Sequence, residues 1–173
     1  MSFAIHSGEV FGLLGHNGAG KTSAIKCFVG EQCITAGTVH VGGCDMESDT
    51  GAARRRLGYC PQFDALLELL TVQDHLELYA SIRGLPKQAV EEALQDFKLE
   101  KNARRRAEVL SGGNRRKLSA ALALMGSPSL AILDEPSCGL DPAARRALWT
   151  AVHDAVAGCS WTPVVGQRAQ PSS

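Results

Sequence analysis

Three things are scarce in this chain, and each scarcity removes a class of answer. Charge of one sign is missing. Lysine plus arginine, 18, equals aspartate plus glutamate, 18, so the basic excess that usually marks a nucleic-acid binder is absent. Long apolar runs are missing too. The longest, residues 118–125, falls far short of the ~20 residues that cross a bilayer, and any membrane connection is expected from another polypeptide or another part of the gene. The opening Met1-Ser2-Phe3-Ala4-Ile5-His6 has neither the basic start nor the apolar stretch of a secretory signal. Paired cysteines are the third absence. The six, at 27, 33, 44, 60, 138 and 159, form no C-x-x-C pair and no zinc spacing. Several sit in apolar or glycine-rich stretches, so they read as reduced thiols acting as small hydrophobes in a cytosolic setting. What remains is ordinary globular composition, 45% hydrophobic and 21% charged over 173 residues, enough for one domain with a real core.

Against that plain background one stretch stands out. Gly15-His16-Asn17-Gly18-Ala19-Gly20-Lys21-Thr22 fits the phosphate-loop pattern G-x-x-x-x-G-K-[ST]. There, glycines let the backbone curl until successive N–H groups surround an anion. The apolar run at 10–14 in front reads as a buried strand, and Ser23 onward reads as a helix whose positive end faces the same anion. Strand, loop and helix are the three parts the motif needs.

Further along, residues 2–6 look like the end of a strand, residues 36–43 like a turn and an exposed strand, and residues 57–60 like a short strand stopped by Pro61. The preceding Arg54-Arg55-Arg56 reads as a solvated face. From Thr71 the period becomes helical. Thr71 with Asp74 resembles a capping box, Val72, Leu76, Tyr79 and Ile82 share a face, and Gly84 and Pro86 mark the stop. A second helix from about Pro86 carries Val90, Ala93, Leu94 and Phe97 as its buried stripe. A third follows Ser111-Gly112-Gly113. The fold expected is α/β, a phosphate-loop NTPase core with a mostly parallel sheet and an inserted helical subdomain at about 71–125. Leu130-Ala131-Ile132-Leu133 reads as a buried parallel strand that delivers Asp134 and Glu135 at its carboxyl end, where ligands sit in open α/β sheets. Pro142 opens a last helix and Gly158 closes it. Residues 1–158 are thus expected to form the domain, and residues 159–173, rich in Ser, Gln, Pro and Gly around one Val164-Val165 pair, a disordered tail that leaves the C-terminal part incomplete.

These residues have a chemistry. Phosphates need a metal to offset their charge, and Mg²⁺ takes hard oxygen ligands. Asp134 and the Thr22 hydroxyl can supply them, and Gln62 can join the metal shell or contact the attacking water. Glu135 suits the role of orienting or deprotonating that water. Ser111-Gly112-Gly113 at a helix start makes a second cradle of N–H groups, which a second copy of the chain, or a partner like it, would occupy.

The order of these segments resembles the nucleotide-binding domain of ATP-binding cassette (ABC) transporters: phosphate loop, glutamine loop at Gln62, helical subdomain, signature Leu110-Ser111-Gly112-Gly113-Asn114, acidic strand ending at Asp134, Glu135, and D-loop Ser137-Cys138-Gly139-Leu140-Asp141. Gly58-Tyr59-Cys60-Pro61-Gln62-Phe63-Asp64-Ala65-Leu66, Asn114 and Arg116-Lys117-Leu118-Ser119 look like the A subfamily, mostly lipid exporters or flippases. The resemblance implies ATP and Mg²⁺ as cofactors. Gly15, His16, Asn17, Gly18, Ala19, Gly20, Lys21, Thr22 and Ser23 would hold the nucleotide. Thr22, Gln62 and Asp134 would serve the metal, and Glu135 and Gln62 the reaction. Ser111, Gly112, Gly113 and Asp141 would meet ATP bound to a second such domain in a head-to-tail sandwich. It further implies transmembrane partner domains, a place on the cytoplasmic face of a membrane, and no nucleic acid. Two departures are expected. The adenine-stacking aromatic upstream of the first strand is not included, and residues 159–173 supply neither the family's further strand nor its switch histidine, His153 reading instead as an exposed helical residue. The alternative is therefore a truncated ATP-binding module that is catalytically silent or regulatory.

Overall fold

A computed structural model of the chain describes residues 2, 4–6, 9, 11–16, 18–156 and 162–168. Among these described residues, strands and helices follow in the order β1 (Phe11–Gly15), α1 (Lys21–Phe28), β2 (His40–Val41), β3 (Cys44–Asp45), α2 (Thr50–Arg55), β4 (Leu57–Cys60), α3 (Val72–Arg83), α4 (Gln88–Asp96), α5 (Gly112–Leu124), β5 (Leu130–Asp134), α6 (Pro142–Val156) and β6 (Thr162–Arg168). Two 3₁₀ turns, Glu100–Asn102 and Ala107–Val109, link α4 to α5.

The main sheet is wholly parallel, in the order β1-β6-β5-β4. A parallel sheet needs cover on both faces, and β5 shows how the sequence provides it. Ala131 and Leu133 face a core with Leu118, Leu124 and Leu148. Ile132 faces the other way, onto Ile25, Val41, Ala53 and Leu57. This is why residues 130–133 are apolar without alternation. β2 and β3 form a separate antiparallel hairpin closed by Gly42 and Gly43, both at positive φ. Residues 4–6, read as the end of a strand, belong to none.

The largest correction concerns the expected disordered tail. Thr162–Arg168 forms β6, a central strand paired to β1 from Phe11↔Val164 to Gly15↔Arg168 and to β5 from Leu130↔Thr162 to Asp134↔Gly166. Composition misled because one valine pair beside Pro163 and Gly166 is too short an apolar run to read as a strand. A central strand, however, is ordered by main-chain hydrogen bonds on both sides, and without it β1 and β5 would each present an open edge. The further strand that the resemblance requires is therefore present. Residues 159–161 and 169–173 lie outside the described residues.

The helical segment begins as its sequence dictates. Thr71 N donates to Asp74 Oδ2 at 2.9 Å and Asp74 N donates to Thr71 Oγ1 at 3.1 Å, a complete capping box. Its buried stripe differs from expectation. Val72 and Leu76 are buried, but Ile82 is 72% exposed and His75 takes a place inside. His75 can be buried because both ring nitrogens are used: Nδ1 donates to the Thr71 carbonyl at 2.8 Å, and Nε2 accepts from Leu67 N at 2.9 Å. Of the expected stripe along α4, Val90, Ala93 and Phe97 are buried, and Leu94 is partly buried against the same core.

Helix α5, taken above as part of the insert, lies directly on the sheet. A Cβ at Gly58 in β4 would stand 1.9 Å from the Ala123 carbonyl oxygen, so only glycine permits this approach. That contact seats α5 across the back of the strand that leads to Gln62.

Candidate functional site

All four strands of the main sheet end at one edge. Register sets Gly15 beside Arg168 and Asp134 beside Gly166, with Cys60 next to Leu133. Three segments far apart in sequence, starting at 15, 60 and 134, therefore meet along one rim, the usual ligand edge of an open α/β sheet.

The first segment is backbone chemistry. Gly18 and Gly20 adopt φ of 81° and 83°, the left-handed region closed to most side chains. Gly20 is the N-cap of α1, with no side-chain cap and no acid in the first turn, so the helix's free N–H groups and positive end remain available to an anion. Lys21 Nζ donates to the Gly15 and His16 carbonyls at 2.5 and 3.1 Å, which holds the ammonium at the loop mouth. His16, Gly18, Ala19, Gly20, Thr22 and Ser23 are described, most of them exposed, and Asn17 lies outside the described residues. A loop of glycine amides beside a fixed ammonium suits a polyphosphate.

The second and third segments supply the acids and the amide. Asp134 is buried at the end of β5. Burial raises its carboxyl above the usual range and the neighbouring Glu135 raises it further, while Lys21 and Arg116 pull the other way. Tyr59, in the adjacent strand, is pushed up to about 12 by burial and then by the same aspartate. A cation placed here would relieve both. Among the described residues no group of three or more His, Cys, Asp or Glu side chains converges. Glu135 has a left-handed backbone, φ 45°, unusual for a non-glycine residue. Gln62 Nε2 donates to Glu135 Oε2 at 3.3 Å, so two side chains 73 positions apart share a hydrogen bond.

Sequence reasoning left out what stands behind that pair. Arg116 on α5 is buried and hydrogen-bonded to the segments on both sides of it, and Asp64 is its ion-pair partner at 2.9 Å. The available signal was helical spacing, since Ala120 and Ala123 follow Arg116 at i+4 and i+7 on the buried face of α5. An arginine on that face has to be paired.

The remaining expected site residues lie elsewhere on the surface. Ser111 caps α5, its hydroxyl accepting from Asn114 N at 3.4 Å, and Gly112 is exposed beside it. Gly113 packs close to Ala144, where an added Cβ would stand 3.2 Å from the Ala144 Cβ. Asp141 Oδ1 accepts from Ala143 N and Ala144 N at 2.9 and 3.0 Å, capping α6, and those amides lower its carboxyl. Among the described residues none of these groups bonds to the phosphate loop. His153, on α6, has its side chain 84% exposed, as expected of a helical surface residue. Cys60 is buried and its thiol pushed up to about 12, an inert small hydrophobe.

A parallel sheet whose carboxyl edge joins a glycine-rich loop, a lysine and an acidic strand end is that of a phosphate-loop nucleotide-binding protein. More narrowly, the chain belongs to the ABC transporter family: the sequence pattern that defines it, described as "ABC transporter", matches residues 1–138. The chain is 50% identical over 156 residues to the phospholipid-transporting ATPase ABCA3 of Rattus norvegicus, covering 88% of this chain and 9% of that protein. It is 45% identical over 152 residues to the retinal-specific phospholipid-transporting ATPase ABCA4 of Homo sapiens, covering 86% and 7%. A solved structure of the ATP binding subunit of an ABC transporter superposes with a TM-score of 0.83 at 31% identity, over 95% of this chain and 70% of that one. The chain thus spans under a tenth of the length of these curated relatives. Among the described residues no helix is long and apolar enough to cross a membrane.

Proposed function

We propose that the chain is a nucleotide-binding domain that binds ATP with Mg²⁺ and hydrolyses it to drive lipid across a membrane. The observation that carries this reading is the meeting of Gln62 and Glu135 at 3.3 Å beside the buried Asp134 and across from Lys21. In this reading Gly15, His16, Asn17, Gly18, Ala19, Gly20, Lys21, Thr22 and Ser23 hold the phosphates. Asp134, the Thr22 hydroxyl and Gln62 hold the metal, which offsets phosphate charge when bound. Glu135 accepts a proton from the attacking water, and Gln62 fixes the direction of the Glu135 carboxylate.

The segment Ser111, Gly112 and Gly113, with Asp141, serves the ATP of a second domain in a head-to-tail pair. In sequence the helical segment stands between Ser111 and the phosphate loop, which supports that assignment. Membrane-spanning partner domains and a place on the cytoplasmic face of the membrane complete the proposal. The printed names of the relatives support lipid as the cargo, and the balanced charge supports no role for nucleic acid.

Mg²⁺-dependent ATP turnover by the purified chain tests it. Glu135→Gln should reduce turnover by at least about 100-fold while ATP still binds, since a positioned base contributes ~10²–10⁴. Equal turnover in both forms would sink the enzymatic part. A second reading is an ATP-binding module that does not turn over. Tight ATP binding without turnover by the unaltered chain would select it.

A further inference from the structure

The Arg116 guanidinium lies between two segments of the rim, and all five of its N–H groups have acceptors. Nη1 donates to the Pro61 carbonyl at 2.8 Å and to Asp64 Oδ1 at 2.9 Å. Nε donates to the Pro136 carbonyl at 2.8 Å, and Nη2 reaches the Asp134 and Glu135 carbonyls at 3.4 and 3.2 Å. One edge of the planar group therefore holds the residues on either side of Gln62, and the other edges hold the residues on either side of Glu135. Asp64 is itself fixed, accepting from Ser119 Oγ at 2.9 Å and facing Arg115 Nε at 3.8 Å.

We propose that Arg116 is a positioning residue for the reaction: a buried clamp that sets the glutamine loop against the acidic strand end, so that Gln62 and Glu135 meet. The geometry requires arginine. A lysine ammonium has three donors at a point and cannot hold five acceptors spread around a plane. The clamp also accounts for the Glu135 backbone. A residue at φ 45° persists only where its surroundings over-determine it, and the carbonyls of 134, 135 and 136 all turn toward Arg116. Because α5 begins at the Ser111-Gly112-Gly113 segment, the same helix links that exposed segment to the clamp one turn later. This inference rests on the hydrolysis reading for its consequence, but the clamp itself can be measured without turnover.

The experiment compares Arg116→Lys with the unaltered full chain. Hydrogen exchange reads the clamp through two hydrogen-bonded amides flanking it, Leu67 N, which donates to His75, and Cys138 N, which donates to the Glu135 carbonyl at 3.0 Å. Arg116→Lys should speed both by about tenfold or more while α1 and α4 exchange as before. Turnover should fall by roughly 10–100-fold with the ATP Kd unchanged, the signature of lost positioning rather than lost binding. Adding Arg116→Lys to Glu135→Gln should cost little more, because the reacting carboxylate that the clamp positions is already gone. Unchanged exchange at both amides, acceleration throughout the chain, or losses that multiply in the double variant would each overturn the clamp. Should Arg116→Lys not fold, Asp64→Asn is expected to give the same pattern more weakly, and failure of both to fold would assign the cluster to stability alone. An unaltered chain that binds no ATP would refute the hydrolysis reading, and the exchange result would still decide the clamp.

Discussion

The phosphate loop and the Arg116 clamp are two halves of one rim built on opposite principles. The loop is local, largely exposed among its described residues and made mostly of backbone: eight consecutive positions with two left-handed glycines and one lysine. The clamp is dispersed and buried: the Arg116, Asp64 and Ser119 side chains gather main-chain carbonyls of Pro61 and of residues 134–136. A backbone cradle tolerates change at most of its side chains because its donors are amides. A buried charge network does not, because removing one member strands another in a low-dielectric site. Binding and reaction can therefore be damaged separately.

The change that should disturb the comparison most strikes the support of the clamp side. Gly58→Ala drives a methyl into the Ala123 carbonyl, lifts α5 from β4 and moves Arg116 with it. Destabilisation of about 3 kcal/mol or more is expected, seen as a collapse of the denaturation midpoint, and a midpoint near that of the unaltered chain would refute the seating of α5.

Asp134→Asn sharpens the contrast with a change of opposite sign for stability and function. Its folded carboxyl is raised above the unfolded value, so ionised Asp134 opposes folding. The penalty is absent below the unfolded value, near ~4, grows as pH rises through the raised folded value, and is full above it. The Asp134→Asn variant should thus melt no lower than the parent at neutral pH, with the difference vanishing at acid pH, while Mg²⁺-dependent turnover is lost. A marked fall in melting temperature at neutral pH would contradict this. Smallest of all, Thr71→Ala removes one half of the capping box, should cost about 1 kcal/mol in denaturant melts, and should leave ATP affinity unchanged. A loss of affinity would mean the helical segment is coupled to the loop more tightly than its contacts allow.

How much of this could be read from the sequence follows the same division. The phosphate loop, the Thr71–Asp74 box and the buried strand at 130–134 are patterns of neighbours, and each appears where its residues indicate. Gln62 and Glu135 could be named from family order, but their mutual hydrogen bond depends on the register of β4 against β5. Arg116 could be noted only as part of the family-like stretch Arg116-Lys117-Leu118-Ser119, with no role, because Arg115-Arg116-Lys117 in isolation looks like any solvated surface. Only the packing of α5 turns one of the three fully inward. β6 was missed for a related reason. Its place comes from the two strands beside it, and neither Pro163 nor Gly166 advertises a strand. Ile82, expected on the buried face, is exposed near the end of α3, whereas His75, which no pattern singled out, is buried because a ring with two partners can enter a core.

The division of labour between loop and clamp is tested most directly by equilibrium ATP binding to Lys21→Ala and Arg116→Lys measured side by side. Lys21→Ala should weaken binding by roughly 10-fold or more, since a charge-assisted contact to phosphate contributes ~1.5–3 kcal/mol, whereas Arg116→Lys should leave the Kd within about threefold of the parent. Near-parental affinity in Lys21→Ala together with a large loss in Arg116→Lys would contradict the account, because it would place phosphate binding at the buried network and leave the glycine loop without its role.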